Sequence, residues 1–389
     1  MQDALFEVEF RPEGRYYGQI LDALHRSGFG GDAAEAERVV STLCGAVWAA
    51  QEVPRDGSTE EDFGLGLVDQ ARRRHTPTAV ALLRTLAFLA PIREVREAAA
   101  GSADAMVAAG LPEPSWGRLD AVTPGRCWSY EDVFGDQATV ICEFGREPGP
   151  GADGAGYAGG AGYAEGFATH AVVVEVDHAM FSAATNVTLA DAVDVMVRDL
   201  QNAAKTSGQL FTLRLVDPPW ARALLARAFA RTDLIDGVPV GPAFAGLRAL
   251  ALARVRELPD APEALPPEPR PPTPEECRSL VEEFMTGPEG GALADPERGA
   301  SVAGLIVDYA SAHDAGDIAR VSPAKWDIFL CEWLPRRGLS DQVRAAVPDV
   351  VRAWSTWAAR RGQLPELARV ELARALDETL EASDGTLAA

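Results

Sequence analysis

The chain has 389 residues, 47% of them hydrophobic and 24% charged, which is enough to bury about two or three domain cores and excludes disorder throughout. A formal net charge of -22, from 58 acidic and 36 basic residues, repels phosphate backbones. With no run of Lys and Arg to offset it, sequence-independent nucleic-acid binding is disfavoured.

Only Lys205 and Lys325 are lysines, so arginine carries almost all the positive charge. The cysteines Cys44, Cys127, Cys142, Cys277 and Cys331 are odd in number and scattered, with no CxxC pair. They fit reduced, mostly buried thiols in a cytoplasmic protein better than a disulfide framework or a zinc site. The N-terminus MQDALFEVEFRPEG carries acids where a signal peptide has a basic region and an apolar core, so secretion is not expected. The longest apolar window, TAVALLRTLAFLAP, is interrupted by Arg84 and is shorter than the ~20 residues that span a bilayer. No membrane span is expected.

In chain order, Phe6, Val8 and Phe10 alternate with Glu7, Glu9 and Arg11, the period of a short strand that could pair with the central region. From Arg15 to about Gly110 apolar residues recur at spacings of three and four, and the pattern predicts a helical block over residues 1–116. LPEPSW closes it, because two closely spaced prolines do not continue a helix.

A central α/β region follows over residues 117–257. Ala138 to Phe144 and His170 to Val176 read as strands, joined by a Gly/Tyr-rich connector at 146–169 whose composition predicts mobility. NVTLADAVDVMVRDLQNAA reads as an amphipathic helix capped by Asn186 or Thr188. QLFTLRLVD reads as a third strand, and helices are expected through PPWARALLARAFART and PAFAGLRALALARVREL. Residues 258–274 form a linker: eight prolines in the sixteen positions from Pro259 to Pro274 force extended chain. Beyond it, 275–385 is helical again and holds Trp326, Trp333, Trp354 and Trp357, which are expected in a dense core rather than an exposed stripe. The fold class is therefore mostly α with a small central β-sheet, α+β, with a separate helical C-terminal domain.

The most chemical stretch is THAVVVEVDHAMFS, Thr169 to Ser182. Strand alternation puts His170, Val172, Val174, Val176 and His178 on one face and Ala171, Val173, Glu175 and Asp177 on the other. At ~3.3 Å per residue the two histidines are on the order of 26 Å apart and cannot share a metal ion through this strand. What remains is a cluster at the strand's end. Asp177 beside His178 could form a general-base pair, or half a divalent-metal site with Asp136 and with Asp191 or Asp194. The plainer alternative is that Asp177 caps the turn and His178 hydrogen-bonds to backbone.

Glu143 and Glu175 face each other if the two strands form a hairpin, though like charges in direct register are destabilising. Trp128 and Tyr130 are candidate walls of a small-molecule site closed by the Gly/Tyr connector. No GxSxG, HExxH, Walker or strand-following GxGxxG motif occurs.

GLPEPSW, DVFGDQ with the CEF strand, HAVVVEVDH, and VSPAKWDIFLCEWLPRR with VPDVVRAWSTWAARRGQLPE resemble landmarks of a group of uncharacterised actinobacterial proteins. They span Gly110 to Glu366, most of the chain. The resemblance implies an intracellular protein of mixed helical and central-strand architecture and transfers no catalytic residue. Here AMFSAATNVTLADA replaces a shorter glycine-rich segment of that group.

The leading expectation is a non-enzymatic cytoplasmic interaction or regulatory protein whose partner is another protein, with no cofactor. The first alternative is a metal-assisted hydrolase using Asp177, His178, Asp136 and Asp191. The second is a small-molecule sensor using Trp128 and Tyr130.

Overall fold

The computed structural model describes residues 14–116, 119, 122–146, 168–261, 270–313 and 317–387. The alternating segment Phe6 to Phe10, most of the Gly/Tyr connector and the middle of the proline linker lie outside them.

Among the described residues the N-terminal block is five helices: α1 (Gly14–Arg26), α2 (Ala33–Ala49), α3 (Ser58–Arg74), α4 (Pro77–Leu89) and α5 (Arg93–Ala108). Their starts follow local chemistry. Asp32 caps α2 by accepting from the Glu35 N–H at 2.7 Å, and Thr76 caps α4 with Pro77 just inside. The apolar run of α4 is buried nearly all round, which is why its pattern carries no polar face.

The central region holds β1 (Val122–Asp132), β2 (Gln137–Arg146), β3 (Ala168–Asp177), β4 (Ala183–Ala190), α6 (Val193–Thr206), β5 (Phe211–Val216), α7 (Pro218–Leu234) and α8 (Phe244–Glu257). All pairings are antiparallel, in the order β4-β3-β2-β1-β5. Val172, Val174 and Val176 join one large core with Val140, Cys142 and Phe144, shared with the N-terminal helices, α7 and α8. Ala171 and Val173 join a smaller core under α6, with Trp128, Ile141, Val193 and Val197. The alternation read from the sequence is the alternation between these two cores.

Two expectations are corrected. Ala183 to Ala190 is a strand, not the start of a helix: Asn186 and Thr188 lie opposite Glu175 and Val173, and the helix begins at Val193. Glu143 and Glu175 do not face each other. Glu143 is opposite Ala171 and buried against Arg126 at 3.0 Å, while Glu175 is opposite Thr139 and accepts from Asn186 at 3.2 Å.

Polar pairs bind α8 to the rest of the large core. Arg254 donates two hydrogen bonds to Glu37 of α2, at 2.8 and 2.9 Å, and a third to His170 Nε2 of β3 at 3.0 Å. Arg248 reaches Glu60 of α3 at 3.1 Å and Asp233 of α7 at 2.6 Å, and Trp48 Nε1 donates to the same Asp233. At Gly45, α2 lies so close to α8 that a Cβ there would sit 1.9 Å from the Ala245 carbonyl oxygen.

After the linker come α9 (Pro274–Thr286), opened by a Thr273/Glu276 capping box, then α10 (Pro288–Gly291), α11 (Pro296–His313), α12 (Pro323–Asp327), α13 (Asp341–Arg361) and α14 (Glu366–Leu387). A six-residue π-helix, Ile328–Trp333, lies between α12 and α13. These helices have their own core, in which Trp326, Trp354 and Trp357 are buried with Phe284 and Phe329. Trp333 packs at its rim. Three of the four tryptophans are core residues, as the sequence led one to expect, and Trp333 is not fully buried. Phe134 of the β1–β2 turn packs onto this second core.

Candidate functional site

The β3 end is where the sheet meets the C-terminal helices. Asp177 Oδ1 accepts from the Met180 N–H at 3.1 Å, capping the turn. The His178 N–H donates to the Asp136 carbonyl at 2.6 Å, and His178 Nδ1 lies 2.8 Å from Ser182 Oγ. Asp136, 8% exposed, accepts from Arg320 at 2.6 Å, and the same guanidinium group reaches the carbonyls of Phe134 and Gly135. Phe181 and Ser182 both take positive φ, 60° and 58°, as the central residues of the turn closed by Ala183 N–H on Met180 O. That conformation is strained for side-chain-bearing residues. It is held by Arg231, which donates to the Phe181 carbonyl at 2.7 Å, and by the Phe181 ring against His313 of α11.

Electrostatics follow from burial. Burial pushes the Asp177 carboxyl up from its ordinary value; the N–H groups of Met180 and Ala179 oppose it, and nearby Asp136 adds to it. Burial lowers the His178 imidazole; Glu131 opposes this and Arg320 adds to it. Burial also pushes up Glu131, but hydrogen bonds from Arg214 at 2.6 Å and Ser129 at 2.5 Å hold it below the ordinary carboxylate value.

A histidine whose native pKa lies below its unfolded value contributes fully above the unfolded value of 6.5 and withdraws stability as pH falls through it. The chain should therefore lose stability as pH falls below 6.5, and His178→Gln should flatten that slope in pH-dependent denaturation. An unchanged slope would show that the imidazole is as free to protonate in the native state as in the unfolded chain.

The sequence-predicted residues separate into two places. Asp136, Asp177 and His178 meet at the β3 end, but each is held by a protein partner. Asp191 does not join them: it follows the far end of β4, eight residues from Ala183, or roughly 26 Å along the strand. Asp194 is tied to Arg126 at 3.0 Å. Among the described residues no group of three or more His, Cys, Asp or Glu side chains is placed to hold a metal ion.

Trp128 and Tyr130 do share the α6 face, where both rings pack against protein neighbours. Trp128 is covered by Val193 and Val197, with the Arg126 guanidinium 4.9 Å from its ring, and Tyr130 stacks on Phe211 at 5.3 Å and 4°. Most of the connector proposed to close over them lies outside the described residues.

Sequence reasoning missed Arg320, which lies 184 residues from Asp136 and carries no local signal. It also missed a shallow, open groove of about 620 Å³ along one flank of α6. Val195, Met196, Leu200 and Ala203 line it, with Asp191 and Asp199. Spacings of three and four along VDVMVRDLQNAAKT are the signal that could have found it. Val195 stands 50% exposed.

No protein-family model, no curated protein and no solved structure matches this chain. Among the described residues no helix is long and apolar enough to cross a membrane.

Proposed function

We infer that this is a non-enzymatic cytoplasmic docking protein, and that the α6 flank receives an amphipathic helix from a protein partner. The apolar, acid-bearing groove beside α6 carries this reading. A 14-residue helix presents about 20 Å of such a flank, enough for a partner helix of similar length with apolar anchors at i, i+3, i+4 and i+7. Asp191 and Asp199 select Lys or Arg on the partner, and the charge of -22 steers a basic segment toward this molecule. The engagement of Asp136, Asp177 and His178 with protein partners favours a structural part for them.

The test is a fluorescently labelled amphipathic peptide with a leucine stripe flanked by lysines, against a version flanked by glutamates. The basic peptide should bind, weaken with added salt, and lose ~10-fold or more in affinity to Val195→Asp. Equal behaviour of the two peptides, or indifference to Val195→Asp, refutes the reading.

A further inference from the structure

The two edges of the sheet are treated differently. β4 has the start of its outer side taken: the Gly241 N–H donates to the Thr185 carbonyl at 2.8 Å, and Thr232 Oγ1 donates to the Ala184 carbonyl at 2.7 Å. β5 pairs with β1 along one side, and four of its six residues, Phe211, Thr212, Arg214 and Leu215, are exposed.

Which backbone groups β5 offers outward follows from strand geometry. In an antiparallel strand the N–H and C=O of one residue point to the same side, and the side alternates along the chain. The Leu210 carbonyl accepts from the Val133 N–H, toward β1, and the register runs unbroken from Cys127↔Val216 to Asp132↔Phe211. Thr212, Arg214 and Val216 therefore point their groups at β1, and Phe211, Leu213 and Leu215 point theirs away. The Phe211 N–H is taken by Ser207 Oγ at 3.2 Å. The other five groups have no partner among the described residues.

We propose that the outer edge of β5 pairs with the same edge of a second copy of this chain, antiparallel and centred on Leu213, making one ten-stranded sheet. The strand is self-complementary in that register. Leu213 meets Leu213 of the second copy, and Phe211 meets Leu215 on the same face, where Leu215 is now 67% exposed. On the other face Thr212 meets Arg214, so no like charges are opposed. Four hydrogen bonds form without disturbing Ser207: two between the Leu213 pair and two from Leu215 N–H to Phe211 C=O. A slip of one residue sets leucine against arginine across the two faces.

The sequence FTLRLV also lacks what usually blunts an edge. It has no proline, no acid and a single basic residue, in a chain where acids outnumber bases by 58 to 36. Two copies each carrying -22 repel at long range, so pairing strengthens as salt rises, opposite to the binding of a basic helix at α6.

The experiment is sedimentation velocity of the full chain from about 1 to 100 µM at low and high salt, on the wild type, Leu215→Lys and Leu213→Pro. Leu213→Pro removes an outward N–H and no hydrogen bond to β1. The expected result is a monomer–dimer equilibrium favoured by salt and weakened ~10-fold or more by each variant, with far-UV circular dichroism unchanged. A wild type that stays monomeric at every concentration overturns the proposal, whether the edge stays bare or other parts of the chain cover it. A dimer that both variants leave intact also overturns it, by placing the interface elsewhere.

Discussion

Replacing Arg254 with methionine should lower the stability of the folded chain by about 3–5 kcal/mol in chemical denaturation. Arg254 and Glu37 are 2% and 4% exposed at their side chains, so the variant takes a doubly bonded guanidinium away from a carboxylate in the core. His170 loses the Arg254 hydrogen bond at the same time. The pair itself is a weaker asset than this loss implies, because both ions surrendered their hydration to form it. The double variant Glu37→Leu/Arg254→Met should therefore recover most of the loss, as buried ion pairs replaced by apolar groups of similar volume often do. A single-variant loss below about 1 kcal/mol would mean that the Glu37 carboxylate is held in the core without Arg254.

The second large effect is expected at Gly45. In a helix, alanine is favoured over glycine by about 1 kcal/mol, so on local grounds Gly45→Ala should stabilise. The added methyl instead meets the Ala245 carbonyl oxygen at 1.9 Å and its carbon at 2.4 Å, backbone that cannot swing aside as a side chain would. α2 and α8 must separate along their whole contact, loosening the Arg254–Glu37 pair. A net loss of roughly 2 kcal/mol or more is expected in urea denaturation, larger for Gly45→Val. Gly101 is the control: it lies within α5 with nothing within 4 Å of an added Cβ, and Gly101→Ala should be neutral or stabilising. If the two alanine variants behave alike, the close approach at Gly45 is not a constraint.

How far the fold was legible depends on the range of the interaction that decides each element. Helices α1 to α4, strands β2, β3 and β5, and the C-terminal helices announce themselves through local periodicity. β1 did not, because Pro124 and Gly125 interrupt VTPGRCWSYED at the place where the register with β2 shifts, between Pro124 and Cys127. β4 was misread because AATNVTLADA is rich in alanine and ends in acids suited to a helix start. Hydrogen bonding to β3 overrides that propensity. At the site, Asp136, Asp177 and His178 were found together because they end adjacent strands. Arg320 was not, because its position depends on how the C-terminal helices pack against the turns. The groove at α6 was hidden in the same way: three-and-four spacing marks a helix with an apolar face, and only the finished sheet shows which part of that face is left over.

The hydrogen bonds that close β4 at Ala184 and Thr185 bear on how large any assembly can become. A sheet open at both sides is a template that can extend one copy after another into a fibre. In this sheet the start of β4 is already bonded, so two molecules joined at β5 carry that blocked segment at both ends of the product. Growth by edge pairing beyond two is opposed at that segment by hydrogen bonds already made, a form of termination that does not depend on charge.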